Sequence, residues 1–105
     1  SPAVMGVVRD EIGFDGLVMT DDLSMQALRG TLAERAAASI AAGCDLVLHC
    51  NGRRADMQEV AAATPPMSAA AVKRADRALS QRRAPESDDI MLLRDELNAM
   101  LEGVP

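Results

Sequence analysis

The residues best suited to chemistry stand directly after a short apolar run, where Gly16-Leu17-Val18-Met19 is followed by Thr20, Asp21 and Asp22. In α/β folds functional groups gather just outside the carboxyl ends of the strands, where the backbone is rigid and side chains face a cleft. A carboxylate placed there, at Asp21, can attack an anomeric carbon, accept a phosphoryl group or hold a divalent metal, and spacing alone does not choose among these. Successive side chains of an extended backbone point to opposite faces. Asp22 therefore cannot aim at the same centre as Asp21 and is assigned to holding the following loop. Thr20 and Ser24 are candidates to donate hydrogen bonds to Asp21, with turn formation as their commoner use.

Cys44 and Cys50 bracket a second apolar run, Asp45–Cys50, and at roughly 3.3 Å per residue a strand holds them about 20 Å apart, beyond disulfide reach. Neither has an adjacent base, so they read as reduced, buried fillers, which fits a cytoplasmic protein. The seven methionines are most simply core gap-fillers, although Met25 is placed to line a site at Asp21 if its loop folds inward. One histidine, His49, among scattered acids is not a ligand pattern, so no metal is expected.

The elements that must position these residues are legible in outline. Ser1-Pro2 opens a helix over residues 2–12 that Gly13 stops. Gly16–Met19 reads as a strand covered on both faces. After a loop around Leu23–Gly30, Thr31 and Glu34 have capping-box spacing, and the helix they open runs to Gly43. Asp45–Cys50 is a second strand, broken by Asn51-Gly52, and strand, crossover helix, strand make a βαβ unit. The rest is helical: Arg54–Ala63 up to Pro65-Pro66, then Ser68–Arg82 with Val72, Ala75 and Leu79 on one face. A last helix follows Pro85, with Ile90, Leu93, Leu97, Met100 and Leu101 in one apolar stripe. Residues 1–51 thus form a helix-strand-helix-strand half and residues 52–105 a mainly helical one. Two parallel strands apolar on both faces need neighbours for their edges, so either a second copy or more chain must complete the sheet.

Composition sets the outer bounds. The 105 residues, 49% of them hydrophobic, allow one modest core; a net charge of −5 argues against nucleic acid as a partner. Arg82-Arg83 is followed by Glu86, Asp88 and Asp89 and reads as a solvated helix end. No apolar stretch approaches the ~20 residues of a membrane span, so no membrane association is expected.

The run Gly13-Phe14-Asp15-Gly16-Leu17-Val18-Met19-Thr20-Asp21-Asp22-Leu23-Ser24-Met25 closely resembles the nucleophile region of the glycoside hydrolase family 3 β-N-acetylglucosaminidases of bacterial peptidoglycan recycling. Their pattern is G-F-D-G, a hydrophobic stretch, then S/T-D-D/A-L-x-M. The likeness continues through Arg35-Ala36 to Ala42-Gly43-Cys44-Asp45-Leu46-Val47-Leu48, similar to the family's A-G-x-D stretch entering the last barrel strand, and so covers the first half of the chain. It implies the C-terminal part of a (β/α)8 barrel, its last two parallel strands and crossover helix followed by helices. Asp21 becomes the nucleophile of a retaining hydrolase acting on β-linked N-acetylglucosamine, with carbohydrate as substrate and no cofactor. The family's acid/base is a histidine on an upstream loop, within a K-H-F-P-G-H-G region that has no counterpart in these residues. By that likeness His49 is a rim or packing residue, and the isolated chain is expected to be inactive.

Two other readings stand beside this one. The acidic pair suits a phosphoacceptor or Mg²⁺-binding domain, which normally also needs a strand-end lysine, whereas Lys73, the one lysine, falls in a helix. The uncovered edges suit a non-catalytic module that folds as a homo-oligomer.

Overall fold

Local chemistry sets most of the helix boundaries in the computed structural model, which describes residues 1–103. Helix α1 (Pro2–Gly6) starts on proline and runs without a break into a π-helical turn, Val7–Glu11. It stops at Gly13, whose φ of 74° lies in the left-handed region that glycine adopts without strain. Helix α2 (Leu32–Ala41) opens on the anticipated capping box: Thr31 Oγ1 accepts from the Glu34 N–H, and Glu34 Oε2 accepts from the Thr31 N–H at 2.8 Å. Gly43, at φ 111°, turns the chain out of it. Helix α3 (Arg54–Ala63) ends before Pro65-Pro66, α4 (Ala69–Ser80) is capped by Ser68, and α5 (Ile90–Glu102) by Asp89.

Strands β1 (Met19–Asp22) and β2 (Leu46–Leu48) pair in parallel, with α2 in the crossover between them. The first strand begins at Met19, where the sequence suggested that it would end, and the second is shorter than the Asp45–Cys50 expected. At both ends side chains take part of the backbone hydrogen bonding, although the Asp45 and Leu46 N–H groups still donate to the Val18 carbonyl and the Leu23 N–H to the Leu48 carbonyl. Ahead of β1, the Arg9 guanidinium donates to the Phe14 and Gly16 carbonyls, and the Val18 N–H donates to the Asp45 carboxylate. Within the pair, Met19 faces Leu46 but Asp22 faces Leu48, three residues forward against two. At that irregularity Thr20 Oγ1 accepts the Leu48 N–H at 2.9 Å. Past β2, the Cys50 N–H donates to Asp22 Oδ1. Asp21 consequently lies within β1, not after it.

The core is small: Leu23 (1% exposed), Ala36 and Val60, with Leu32, Val47 and Ala63 packed against them. The apolar residues that share one face of α4 are not the ones that dock. Val72 and Leu79 are exposed, whereas Ala71 is buried and Arg74 and Arg77 reach Asp45 and Asp15. Two ion pairs and the buried Ala71 hold that side of the helix. The cysteines are both free, but Cys44 is only half-buried and Cys50 is exposed, so the expectation of two buried fillers is not met.

The stripe of α5 is uncovered, with Ile90, Leu93, Leu97, Met100 and Leu101 all more than half or about half exposed. The accessible surface is 8161 Å², against about 5,700 Å² for a compact monomer of this mass. The radius of gyration is 19.0 Å, against about 13 Å. Among the described residues, two strands and five α-helices therefore leave sheet edges and apolar faces without a covering layer.

Candidate active site

Because β1 and β2 run in parallel, their carboxyl ends form one rim, and Asp21, Asp22 and His49 stand on it. Burial alternates along β1, which puts Met19 and Asp21 toward the exposed side and Thr20 and Asp22 toward the interior. Asp21 Oδ1 accepts the N–H of Asp22 at 2.8 Å, and no other hydrogen bond reaches its carboxylate among the described residues. The group is thus held locally and presented outward.

Asp22 has the opposite fate. Its carboxylate accepts the Ser24 hydroxyl, the Ser24 N–H at 3.0 Å and the Cys50 N–H at 3.1 Å, tying the loop after β1 to the chain after β2. The Ser24 hydroxyl above all, then the Ser24 and Cys50 amides, hold this carboxyl below the ordinary aspartate range, outweighing desolvation. Ser24 and Thr20 both serve backbone and neighbour, and neither touches Asp21. The loop-holding role expected of Asp22 is what its contacts perform.

His49 is packed under this corner with its side chain 6% exposed. Both ring nitrogens are buried without a hydrogen-bond partner, and Nδ1 lies 3.9 Å from Asp22 Oδ1, too far for a hydrogen bond. Met25 is 45% exposed on the loop beyond Ser24. Among the described residues no three His, Cys, Asp or Glu side chains gather where a metal ion could be held.

One residue at this rim had no predictive signal beyond its place in the resemblance. Arg35, on α2, donates through Nη1 to the Leu23 carbonyl at 2.7 Å and the Met25 carbonyl at 3.2 Å, and through Nη2 to the Leu28 carbonyl at 2.7 Å. Its acceptors are backbone oxygens, which have no signature in residue type.

The opposite end of the strands is built differently. Asp45, with its side chain 4% exposed, receives Arg74 at 2.7 Å, Arg9 at 2.9 Å and the Val18 N–H at 3.0 Å. Desolvation pushes its carboxyl up, but the Val18 amide and the Arg74 and Arg9 guanidiniums together hold it below the ordinary range. A cleft of about 450 Å³ opens beside it, lined in part by Arg9, Asp45, Pro66, Met67 and Arg74. That cleft lies at the amino-terminal end of β2, away from Asp21.

A βαβ unit with an outward-facing carboxylate at its carboxyl rim places that group where α/β folds gather functional side chains. Residues 1–82 match the N-terminal domain of glycosyl hydrolase family 3, and the chain belongs to that family. It is 34% identical over 86 residues to a beta-hexosaminidase of Idiomarina loihiensis, covering 80% of this chain and 26% of the relative. A Bordetella avium beta-hexosaminidase is 37% identical over 91 residues, covering 83% and 25%. One from Vibrio cholerae is 46% identical over 54 residues, covering 50% and 16%. The chain thus spans about a quarter or less of the length of these relatives, and α5 lies beyond the residues that match the family.

Proposed function

We propose that this chain contributes the nucleophile of a retaining glycoside hydrolase that removes terminal β-linked N-acetylglucosamine, and that Asp21 is that nucleophile. The observation that carries the reading is the contrast within the acidic pair. Asp22 is engaged by three donors, whereas Asp21 stands on the rim with a single neighbouring amide, inside the run most like the family's nucleophile segment. The named relatives are beta-hexosaminidases, which supports the sugar class.

In such a reaction the Asp21 carboxylate attacks the anomeric carbon as the bond to the leaving oxygen breaks, and a general acid protonates that oxygen. Water, deprotonated by the same group, then opens the glycosyl ester and restores the carboxylate. Retaining pairs stand about 5–5.5 Å apart. Within these residues His49 is a poor partner, since its ring is buried and unbonded. The acid/base belongs instead to the family's upstream histidine loop, and the 105-residue chain alone does not turn over.

The barrel reading follows the same line: residues 1–105 supply the last two strands of a (β/α)8 barrel with their helices, and the uncovered edges and apolar faces are where its other strands and helices pack. Alone, the chain associates with further copies through those faces, which light scattering on the isolated chain reports as species larger than 11.1 kDa. The direct test of the chemistry is trapping. A slow 2-fluoro sugar substrate given to the full-length protein is expected to leave its glycosyl group on the peptide containing Asp21, and mass spectrometry locating it on any other residue removes Asp21 as nucleophile.

A further inference from the structure

The loop between β1 and α2, residues 23–31, follows directly on the strand that bears Asp21 and holds the half-exposed Met25, yet it has little backbone bonding of its own. The Met25 N–H reaches the Asp22 carbonyl at 3.3 Å and the Leu28 N–H the Met25 carbonyl at 3.1 Å. What converges on it from outside is one cation. The Arg35 guanidinium takes the carbonyls of Leu23, Met25 and Leu28, three oxygens from three separated residues, on its two terminal nitrogens.

Two features distinguish this from an ordinary helix-surface arginine. No carboxylate pairs with Arg35 among the described residues, so its charge faces only the loop's carbonyl dipoles. Its Nε is buried without a partner, so the planar fork is seated by the loop at the expense of its third nitrogen. Asp22 pins the beginning of the same loop through Ser24, and Leu23 is its buried anchor. The segment following Asp21 is held from both sides.

We infer that Arg35 is a positioning residue for substrate capture: by gathering the Leu23, Met25 and Leu28 carbonyls it fixes the loop so that Met25 forms part of the wall against the sugar bound at Asp21. This rests on the glycosidase reading and adds a specificity element to it. A wall that contacts the sugar equally in the ground state and the transition state affects KM and leaves kcat nearly unchanged. Lysine keeps the charge and three donors but lacks the planar fork, so it is expected to recover only part of the three-carbonyl grip.

The experiment compares Arg35→Lys and Arg35→Met in the full-length protein by amide hydrogen exchange and by kinetics on an aryl N-acetyl-β-glucosaminide. Exchange at the Met25 and Leu28 amides should accelerate by about tenfold or more in Arg35→Met and by less in Arg35→Lys, with β1 and β2 unchanged. KM should rise by about tenfold in Arg35→Met with kcat within about threefold, and the lysine variant should recover part of it. Unchanged loop exchange overturns the proposal, and so does faster exchange with unchanged KM. Loss of protection throughout the protein in both variants also overturns it, by making Arg35 a determinant of the fold. A wild-type protein with no turnover instead defeats the glycosidase reading and takes the substrate-capture role with it, while the exchange data still decide whether the loop is clamped.

Discussion

The two ends of the parallel strand pair use aspartate in opposite ways. At the amino-terminal end, Asp45 is buried and saturated: two guanidiniums and a backbone amide converge on it, and they tie the first helix, the approach to β1 and α4 to one point. At the carboxyl end, Asp21 is exposed and, among the described residues, bonded only to the amide of the next residue. A carboxylate surrounded by donors has its lone pairs occupied and serves as a structural junction. One with an unengaged oxygen on an open rim is able to meet an electrophile. The same side chain is thus saturated at one end and open to solvent at the other, and a substitution at each end should separate the two proposed roles.

The largest effect is expected at the rim. In the full-length protein Asp21→Asn should lower kcat/KM by roughly four orders of magnitude or more, the scale on which loss of a covalent nucleophile is felt. The melting temperature should stay within about 2 °C of wild type, because the asparagine oxygen still accepts the Asp22 amide. Substantial residual turnover, or a large fall in melting temperature with it, would erase the contrast with Asp45.

Asp45→Asn should do the reverse. Removing the charge leaves Arg9 and Arg74 without their counter-ion beside a buried position, a loss of about 3 kcal/mol in global stability by denaturant titration. The kinetic constants below the melting range should change by less than about threefold. Acid should mimic the substitution. The Asp45 carboxyl is held below its unfolded-chain value, so its contribution is fully present above about pH 3.9 and is lost as pH falls through the lowered folded value. Asp45→Asn should therefore flatten the acid limb of the stability profile. An unchanged limb would mean that Asp45 is not the group responsible.

How much of this contrast was legible from residue types follows from where the bonds go. The helices were readable because their caps are local: Thr31 with Glu34, Gly13 and Gly43 at the stops, Pro65-Pro66 after α3. The βαβ order and Asp21 at the rim were readable because an apolar run ending in acids is a local pattern too. The exact strand limits were not, since Arg9 and Asp45, 36 residues apart in sequence, bind the Phe14, Gly16 and Val18 backbone groups ahead of β1. Nor was the docking of α4: its apolar residues Val72 and Leu79 are exposed, while Arg74 and Arg77 pair with Asp45 and Asp15, distant in sequence. Arg35 gave no signal of its role because carbonyl acceptors belong to every residue type.

The smallest effect concerns His49, and it tests whether the rim holds a second reactive group. A buried imidazole with both nitrogens unbonded is a poor use of a polar side chain, since burial without a hydrogen bond costs free energy that an apolar residue does not lose. Asp22 is held by the bonds from Ser24 and Cys50, and His49 Nδ1 stands 3.9 Å from it, beyond hydrogen-bond reach. Leucine at this position should therefore preserve the packing around Asp22 and stabilise the full-length protein by about 1 kcal/mol, with kcat/KM within about twofold of wild type. If His49 instead moved protons for Asp21, the substitution would cost about 10²- to 10⁴-fold in rate, the range for a general acid or base. The rim would then hold both members of a catalytic pair, and the division between a structural end and a reactive end would have to be redrawn around His49 as well as Asp21.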